Sequence, residues 1–552
     1  MKRLLYIVIC AGVLTGCKKK DNPAPVTPAG PFNHVQTQLN ATVSGGDYVS
    51  VPVMPVIRLS FSAPADVATV KPNILLNEGT GAAVPFNVTY ERNDSTVVVQ
   101  PAAALKYLTK YTLRIFPDIQ SKQQKKLGTT ITLNLLTQID SSRKFAAISD
   151  EALLTLVQRQ HFKYFWEFGH PVSGLARERN TSGDLVTSGG SGFGIMAIVT
   201  GIHRSFITRA EGLARLQKIV GFLKTKAQRF HGAFPHWLDG STGVVIPFST
   251  KDNGADLVET SYLMQGLLTA RQYFNGADAA ETALRADINT LWNEVEWSWF
   301  RKNNENVLYW HWSPNYTWDI NLPIKGWNEC LITYALAASS TTYTIPKEVY
   351  DQGWASNGSF KNGQTYFGYQ LPLGPPNGGP LFYAHYSFLG INPNSLTDAY
   401  ANYWDQNRNH TLINYTYCVS NPRSYYGYSD SCWGLTASDD ISGYKVHDPS
   451  NDNGVISPTA ALSSFPYTPV ESMKALKFFY YVLGDKLWKE YGFIDAFSLH
   501  HVWFADSFLA IDQGPVIIMI ENYRSGLLWN LFMSCPEVKA GMKKLGFQSP
   551  YL

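Results

Sequence analysis

Around Ser149 the chain changes its hydrophobic period, and the change divides it into two folded parts. Residues 32–140 carry short runs rich in Val, Ile, Thr and Tyr: Val51 to Phe61, Pro85 to Tyr90, Ser95 to Gln100, Tyr111 to Ile115 and Thr130 to Leu136. Turn residues such as Asn77-Glu78-Gly79 and Asn93-Asp94 separate them. This spacing predicts a small β-sandwich. Past Ser149, Leu153, Leu154, Val157, Phe162, Phe165 and Trp166 share one broad face of a helix over 151–168. Further helices are expected over 210–229, 257–274, 277–297, 328–338, 395–406, 470–483 and 516–532. Long loops heavy in Gly, Trp, Tyr, Asn and Asp join them. A mainly α part with aromatic loops gathered at one end predicts a toroid of paired helices, an (α/α)6 barrel, over 146–548.

The N-terminus points to a secreted, tethered protein. Lys2 and Arg3 precede an apolar run, Leu4 to Val13, too short to span a membrane permanently. Leu14-Thr15-Gly16-Cys17 resembles the lipobox of bacterial lipoproteins, which implies a signal peptide over 1–17 and lipidation of Cys17. Residues 18–31, charged and then rich in proline, read as a semi-rigid linker. Lys18 after Cys17 implies sorting to the outer membrane, on its periplasmic or its outer face. A formal net charge of +3 gives no nucleic-acid footprint. Cys330, Cys418, Cys432 and Cys535 lack the paired spacings of a zinc site, so neither metal nor cofactor is expected. A Cys418–Cys432 bridge stays open, and a monomer is expected.

Aromatic residues make up 14% against 16% charged, and the imbalance concentrates in loops. Residues 425–440, YYGYSDSCWGLTASDD, combine tyrosines, a tryptophan and aspartates with little helical periodicity. Flat rings stack on sugars and carboxylates act on glycosidic bonds, so the loop suits carbohydrate. The alternative is a loop folded over the core with its tyrosines hydrogen-bonded. Other aromatics cluster near carboxylates: Trp237 before Asp256 and Glu259, Trp310, Trp312 and Trp327 before Glu329, and Trp503 before Asp512. Each carboxylate sits where a polar loop becomes an apolar helix, with Pro515 read as a first-turn proline. Capping and the helix dipole explain such positions without catalysis, and Thr468 to Glu471 fits a capping box. Aromatic company is what capping does not require.

Inverting hydrolysis needs one protonated and one ionised carboxyl about 6.5–9.5 Å apart. Glu329, flanked by Trp327, Cys330 and Leu331, is the candidate acid; Asp512, at a helix start, is the candidate base, with Asp439 and Asp440 as alternatives. Asp256 and Glu259 bind hydroxyls or tune the acid. Arg177, Arg179, His236, Trp237, Trp310, Trp312, Trp327, Tyr425, Tyr426, Trp433, Asp439 and Trp503 are candidate substrate contacts.

Five segments carry a family resemblance: FKYFWEFGHPVSGLARER (162–179), GADLVETSYLMQGLL (254–268), GWNECLITYALAASS (326–340), the loop 425–440, and FADSFLAIDQGPVIIMIENYRSGLLWNLFM (504–533). Through them residues 146–548 resemble the bacterial glycoamylase-like family and glycoside hydrolase family 144. The resemblance implies an (α/α)6 barrel and endo-acting, inverting hydrolysis of β-1,2-glucan, needing no cofactor, with an acidic role at Glu329 and site roles at Asp256 and Glu259. IRLSFSAPAD with PAAALKYLTKYTL resembles bacterial Ig-like domains that precede secreted enzymes. Alternatives are a glucoamylase-like hydrolase of another linkage, a glycan-binding lipoprotein without catalysis, and a lyase using His385-Tyr386.

Overall fold

The computed structural model describes residues 30–40, 42–43 and 46–552. The signal peptide, Cys17 and most of the linker lie outside the described residues. The chain divides between Ile139 and Asp140 into two compact units.

The first unit is a two-sheet sandwich. Its strands are β1 (His34–Leu39), β2 (Thr42–Val43), β3 (Asp47–Val51), β4 (Ile57–Phe61), β5 (Ile74–Glu78), β6 (Phe86–Glu91), β7 (Thr96–Pro101), β8 (Lys110–Ile115) and β9 (Ile131–Thr137). One sheet runs β2-β1-β4-β7-β6 and the other β3-β9-β8-β5. Alternation drives the closure: Ile57, Leu59, Val97, Val99, Leu113, Ile115, Leu133 and Leu135 turn inward to one core. The run Val51 to Phe61, expected as one strand, is broken into β3 and β4 on different sheets. Pro52 and Pro55 stand between them, and proline cannot donate to a ladder.

The second unit is built on a sequence of buried helical segments that pack each on the next. Ser188–His203 packs on Leu257–Tyr273, which packs on Leu331–Ser339, which meets the 3-10 turn Ser387–Leu389. From there His385 Nε2 lies 2.9 Å from Ser464 Oγ, and Tyr467 OH donates to Ala384 O at 3.0 Å, leading to Pro458–Leu462. Pro458–Leu462 packs on Ala510–Ser525, which returns to Ser188–His203. The helices Asp150–Trp166, Arg209–Thr225, Ala279–Glu294, Tyr403–Ser420 and Pro469–Lys477 alternate with these in the chain, each with one buried face and an exposed one.

Several expected elements differ. Ser188–His203 has no sequence counterpart above, because SGGSGFG carries four glycines in a poor helix-forming run. Tertiary packing overrides that propensity: a Cβ on Gly192 would collide with Tyr262 O, and one on Gly266 with Gly192 O. Only glycine lets these two helices approach so closely. The helix expected over 395–406 instead runs Tyr403–Ser420, started by Asn402 accepting from Trp404 N and Asp405 N. The segment expected over 516–532 is two helices, Ala510–Ser525 and Leu527–Met533, separated at Gly526 (φ 69°). Pro515 therefore lies inside a helix rather than in its first turn. Thr468 makes no capping bond; the capping box is Thr208 with Glu211.

Candidate active site

The buried segments present their N-terminal ends with carboxylates, and two flanks emerge. On the first, Asp256 ends the two-residue strand Ala255–Asp256, paired to His311–Trp312, and caps the helix Leu257–Tyr273. Oδ1 of Asp256 accepts from Val258 N at 3.0 Å and Glu259 N at 2.9 Å. Oδ2 faces His236 Nδ1 at 3.2 Å and His311 Nε2 at 3.6 Å. Burial works to raise Asp256, but the His236 hydrogen bond, both imidazoles and the capped amide hold it below its usual value. His236 is conversely pushed up to about 9: burial opposes its charge, and Glu259, Asp256 and Asp252 overcome that. Three residues on, Glu259 accepts from Gly189 N at 2.9 Å and Thr187 Oγ1 at 3.4 Å on the neighbouring segment. A Cβ on Gly189 would collide with Glu259 Oε2, so glycine makes this cradle. Burial foremost raises Glu259.

His236, Asp252 and Asp256 offer donor atoms within 4.8 Å of one another, the one such group found among the described residues. His236, pushed up to about 9, already offsets their negative charge, while His311, 3.4 Å from Asp252, is lowered by its burial.

Glu329 stands one residue before the cap, Cys330, of the helix Leu331–Ser339, half-buried, with its carbonyl held by Ser387 Oγ and by Tyr262 OH at 3.5 Å. Burial, reinforced by Glu259 and Asp256, lifts its carboxyl to about 7.

On the second flank no histidine among the described residues pairs with the carboxylates. Asp512, the third residue of Ala510–Ser525, was expected ionised at a helix start. Instead burial, then Asp495, raise it well above the carboxylate range, and Asp495 itself is lifted to about 7. The magnitudes explain the outcome. A helix terminus contributes about 0.3–1 kcal/mol, whereas desolvating a carboxylate costs several kcal/mol. Oδ2 of Asp495 accepts from Asp439 N at 2.6 Å. The Asp439 carboxylate takes Arg179 at 3.2 Å on both oxygens, and Arg179 also pairs with Glu178 at 3.0 Å. Buried Tyr386 lies within electrostatic reach of Asp512, Glu329 and Glu259, so both flanks come near one residue.

The aromatic candidates separate sharply. Trp237 stays half-buried beside the first flank, against Phe248 (4.7 Å) and His236 (5.7 Å); Phe248 is 50% exposed. Trp310 stacks on His311. Trp503 is half-buried in a two-residue strand. Other candidates are corrected to structural roles. Trp312 joins Trp299 and His231; Trp327 is buried among Trp354, Phe388 and Tyr403; Trp433 is fully buried with Nε1 donating to Glu471 O. Tyr425 and Tyr428 hydrogen-bond Asp452, so much of the 425–440 loop follows the alternative of a loop folded over the core. Tyr426 N donates to His500 Nδ1. Arg177 donates to Gly183 O and Phe168 O and covers the Phe168 ring, away from any carboxylate. Asp440 faces the opposite side of its strand from Asp439, toward Ser442, His447 and Asn453. Cys418 and Cys432 are free buried thiols. His385 is buried with Nε2 engaged by Ser464 Oγ at 2.9 Å, so the lyase pair lacks a free histidine.

Asp495, Asp252, His311 and Glu178 went unread in sequence. His311 stood between two noted tryptophans. Asp495, in GFIDAF, carried no local signal, since nothing near it in the chain foreshadows its partner.

Comparison with known proteins follows this geometry. Residues 321–536 match the family described as "Putative glucoamylase", and residues 35–137 the bacterial Ig-like domain. An endo-β-1,2-glucanase structure from Chitinophaga pinensis, in complex with sophorotriose and glucose, is 55% identical, covering 74% of this chain and 100% of that one (TM-score 0.72). A β-1,2-glucanase structure from Parabacteroides distasonis is 40% identical, covering 93% of this chain and 74% of that one (TM-score 0.71). An exo β-1,2-glucooligosaccharide sophorohydrolase (non-reducing end) of Parabacteroides distasonis is 47% identical over 82% of this chain, which spans 66% of that relative's length.

Proposed function

We propose a hydrolase of β-1,2-glucan, from the premise that the chain belongs to the family described as "Putative glucoamylase" and carries a bacterial Ig-like domain ahead of its helical domain. The observation that carries the reading is two groups of buried acids with Tyr386 as a common electrostatic neighbour: Glu329, whose carboxyl burial lifts to about 7, with Glu259 and Asp256, and Asp512 with Asp495. We read the closed succession of buried segments as the inner ring of an (α/α)6 toroid.

In this reaction Glu329 gives its proton to the glycosidic oxygen as the bond from the anomeric carbon breaks. Water attacks the opposite face, with inversion, and its proton passes to the second flank, where Asp512 lies. Asp256, Glu259 and His236 on one flank, and Arg179 with Asp439 on the other, are placed to bind hydroxyls. Trp237 and Phe248 offer ring faces to a sugar. Cys17 carries the lipid that tethers a monomer to the outer membrane.

Endo-acting cleavage is the first reading, on the 55% identity to the Chitinophaga enzyme. Exo-acting release is the second, because the sophorohydrolase aligns over 481 residues, more than the helical unit 140–552. Mass spectrometry of early products from linear β-1,2-glucan, with soluble starch alongside, tests both. A spread of oligosaccharides from the β-glucan alone is expected; a single disaccharide from the first minutes selects the exo mode, and products from starch alone reject the proposal.

A further inference from the structure

The second flank contains an arrangement that the reaction scheme above leaves unused. Asp495 and Asp512 are each 2% exposed, and they are close neighbours that line one small chamber. Asp512 Oδ2 and Asp495 Oδ1 receive no N–H or O–H from any other described residue. Two ionised carboxylates cannot satisfy each other, so one proton must lie between them. Beside them is a chamber of about 10 Å³, close to the size of one water, lined by His161, Gln513, Asp495 and Asp512. Gln513 and His161, which also line the chamber, are near enough to interact with each other, His161 Nε2 accepting from Phe493 N at 3.2 Å. Two orphaned carboxyl oxygens beside a water-sized chamber are better satisfied together than singly.

We propose that Asp495 is the positioning partner of Asp512: the two carboxyls share a single proton beside a chamber that takes one water, and the pair, rather than Asp512 alone, is the proton acceptor in hydrolysis. The inference rests on the hydrolase reading. Before the reaction the pair holds one proton and one negative charge. As the attacking water's O–C bond forms and the glycosidic C–O bond breaks, Glu329 delivers its proton to the leaving oxygen. The water's proton passes to the pair, which becomes neutral, and later exchange with solvent returns both sites to their starting state. Asp495 is fixed for this task by its own surroundings: Oδ2 on Asp439 N, its carbonyl taking Ser457 Oγ at 2.6 Å, and its N–H on Ser507 O at 3.0 Å. Other titratable or charged groups facing the pair are Asp439, Glu178 and Arg179 beside it, His161 across the chamber, and Tyr386 and Tyr444 from the packed segments. Arg179 stands nearest to Asp439 and Glu178, so it offsets those charges and leaves the pair to settle its own.

The test is Asp495→Asn in the full chain. Asparagine can still donate to Asp512 but cannot hold a second charge, so Asp512 ionises more easily. The acid limb of kcat/KM on linear β-1,2-glucan is expected to move to lower pH by about one unit, with kcat reduced about tenfold or more. A merely structural aspartate would leave the limb where it is. An unmoved limb with a folded protein overturns the proposal. Carboxyl-detected infrared titration of the unaltered protein, against Asp495→Asn where that variant folds and otherwise against Asp512→Asn, needs no substrate. Two coupled steps in the unaltered protein, replaced in the variant by one step at a lower pH than the upper of the two, support the pair, and an unshifted remaining step overturns it. Absence of β-1,2-glucan hydrolysis would reject the functional reading while this titration still decides the pair.

Discussion

Asp256 and Asp512 occupy similar places, the first capping a buried helix and the second in the first turn of one, each almost wholly excluded from solvent, yet they are held in opposite charge states. Asp256 meets two imidazoles and two amide N–H groups, and is depressed. Asp512 meets another carboxyl, and is raised. The shared element, a helix start, is too weak to set either state; the side chains brought from elsewhere decide. An acid–base division of labour can therefore rest on similar local sequence.

The contrast is open to breakage at several points. Glu329, between the flanks, gives the largest effect: Glu329→Gln should lower kcat by about 10²–10⁴-fold with circular dichroism unchanged. Turnover near wild type would remove the acid from the scheme.

Stability separates the flanks next. Asp256→Asn leaves His236 and His311 without their buried acceptor and should cost about 3–5 kcal/mol in urea unfolding. Asp512→Asn should behave otherwise. Because Asp512 and Asp495 are raised in the folded state, the native protein binds more protons than the unfolded chain above about pH 4. The stability that protonation confers is full at low pH and lost as pH rises through the folded values. Asparagine avoids that loss, so at pH 8 the Asp512→Asn protein should unfold at no lower urea than wild type. A large loss there would mean that Asp512 is ionised and paired after all.

A smaller shift tests how far the first flank governs the acid. Glu259 contributes to raising Glu329, so Glu259→Gln should move the basic limb of the pH–rate profile downward by less than about one unit. An upward shift would contradict the electrostatic account. The smallest effect concerns the aromatic edge: Trp237→Ala should cost about 0.5–1.5 kcal/mol of sugar stacking, roughly two- to tenfold in KM, with kcat little changed.

Much of the scaffold was legible from local pattern. The sandwich strands Phe86–Glu91 and Lys110–Ile115 and the helices Arg209–Thr225 and Leu257–Tyr273 lie where periodicity predicts them, because one face of each is buried and the period records it. Ser188–His203 was illegible for the opposite reason: it is buried all round, so no period survives, and its glycines serve a contact with Leu257–Tyr273. Tryptophans misled in the same way. Trp327, Trp433 and Trp237 look alike in the chain, but the first two fill the core and only the third borders the carboxylates.

Sequence alone determined the division near residue 140, the class of each part, and the acids at helix starts, since all three depend on residues within a few positions of one another. Tertiary structure decided which acids face which partners: Arg179 meets Asp439 from 260 positions away, and Asp495 reaches Asp512 across separate elements. Charge state follows burial and neighbours in space, and neither quantity is carried by the chain locally.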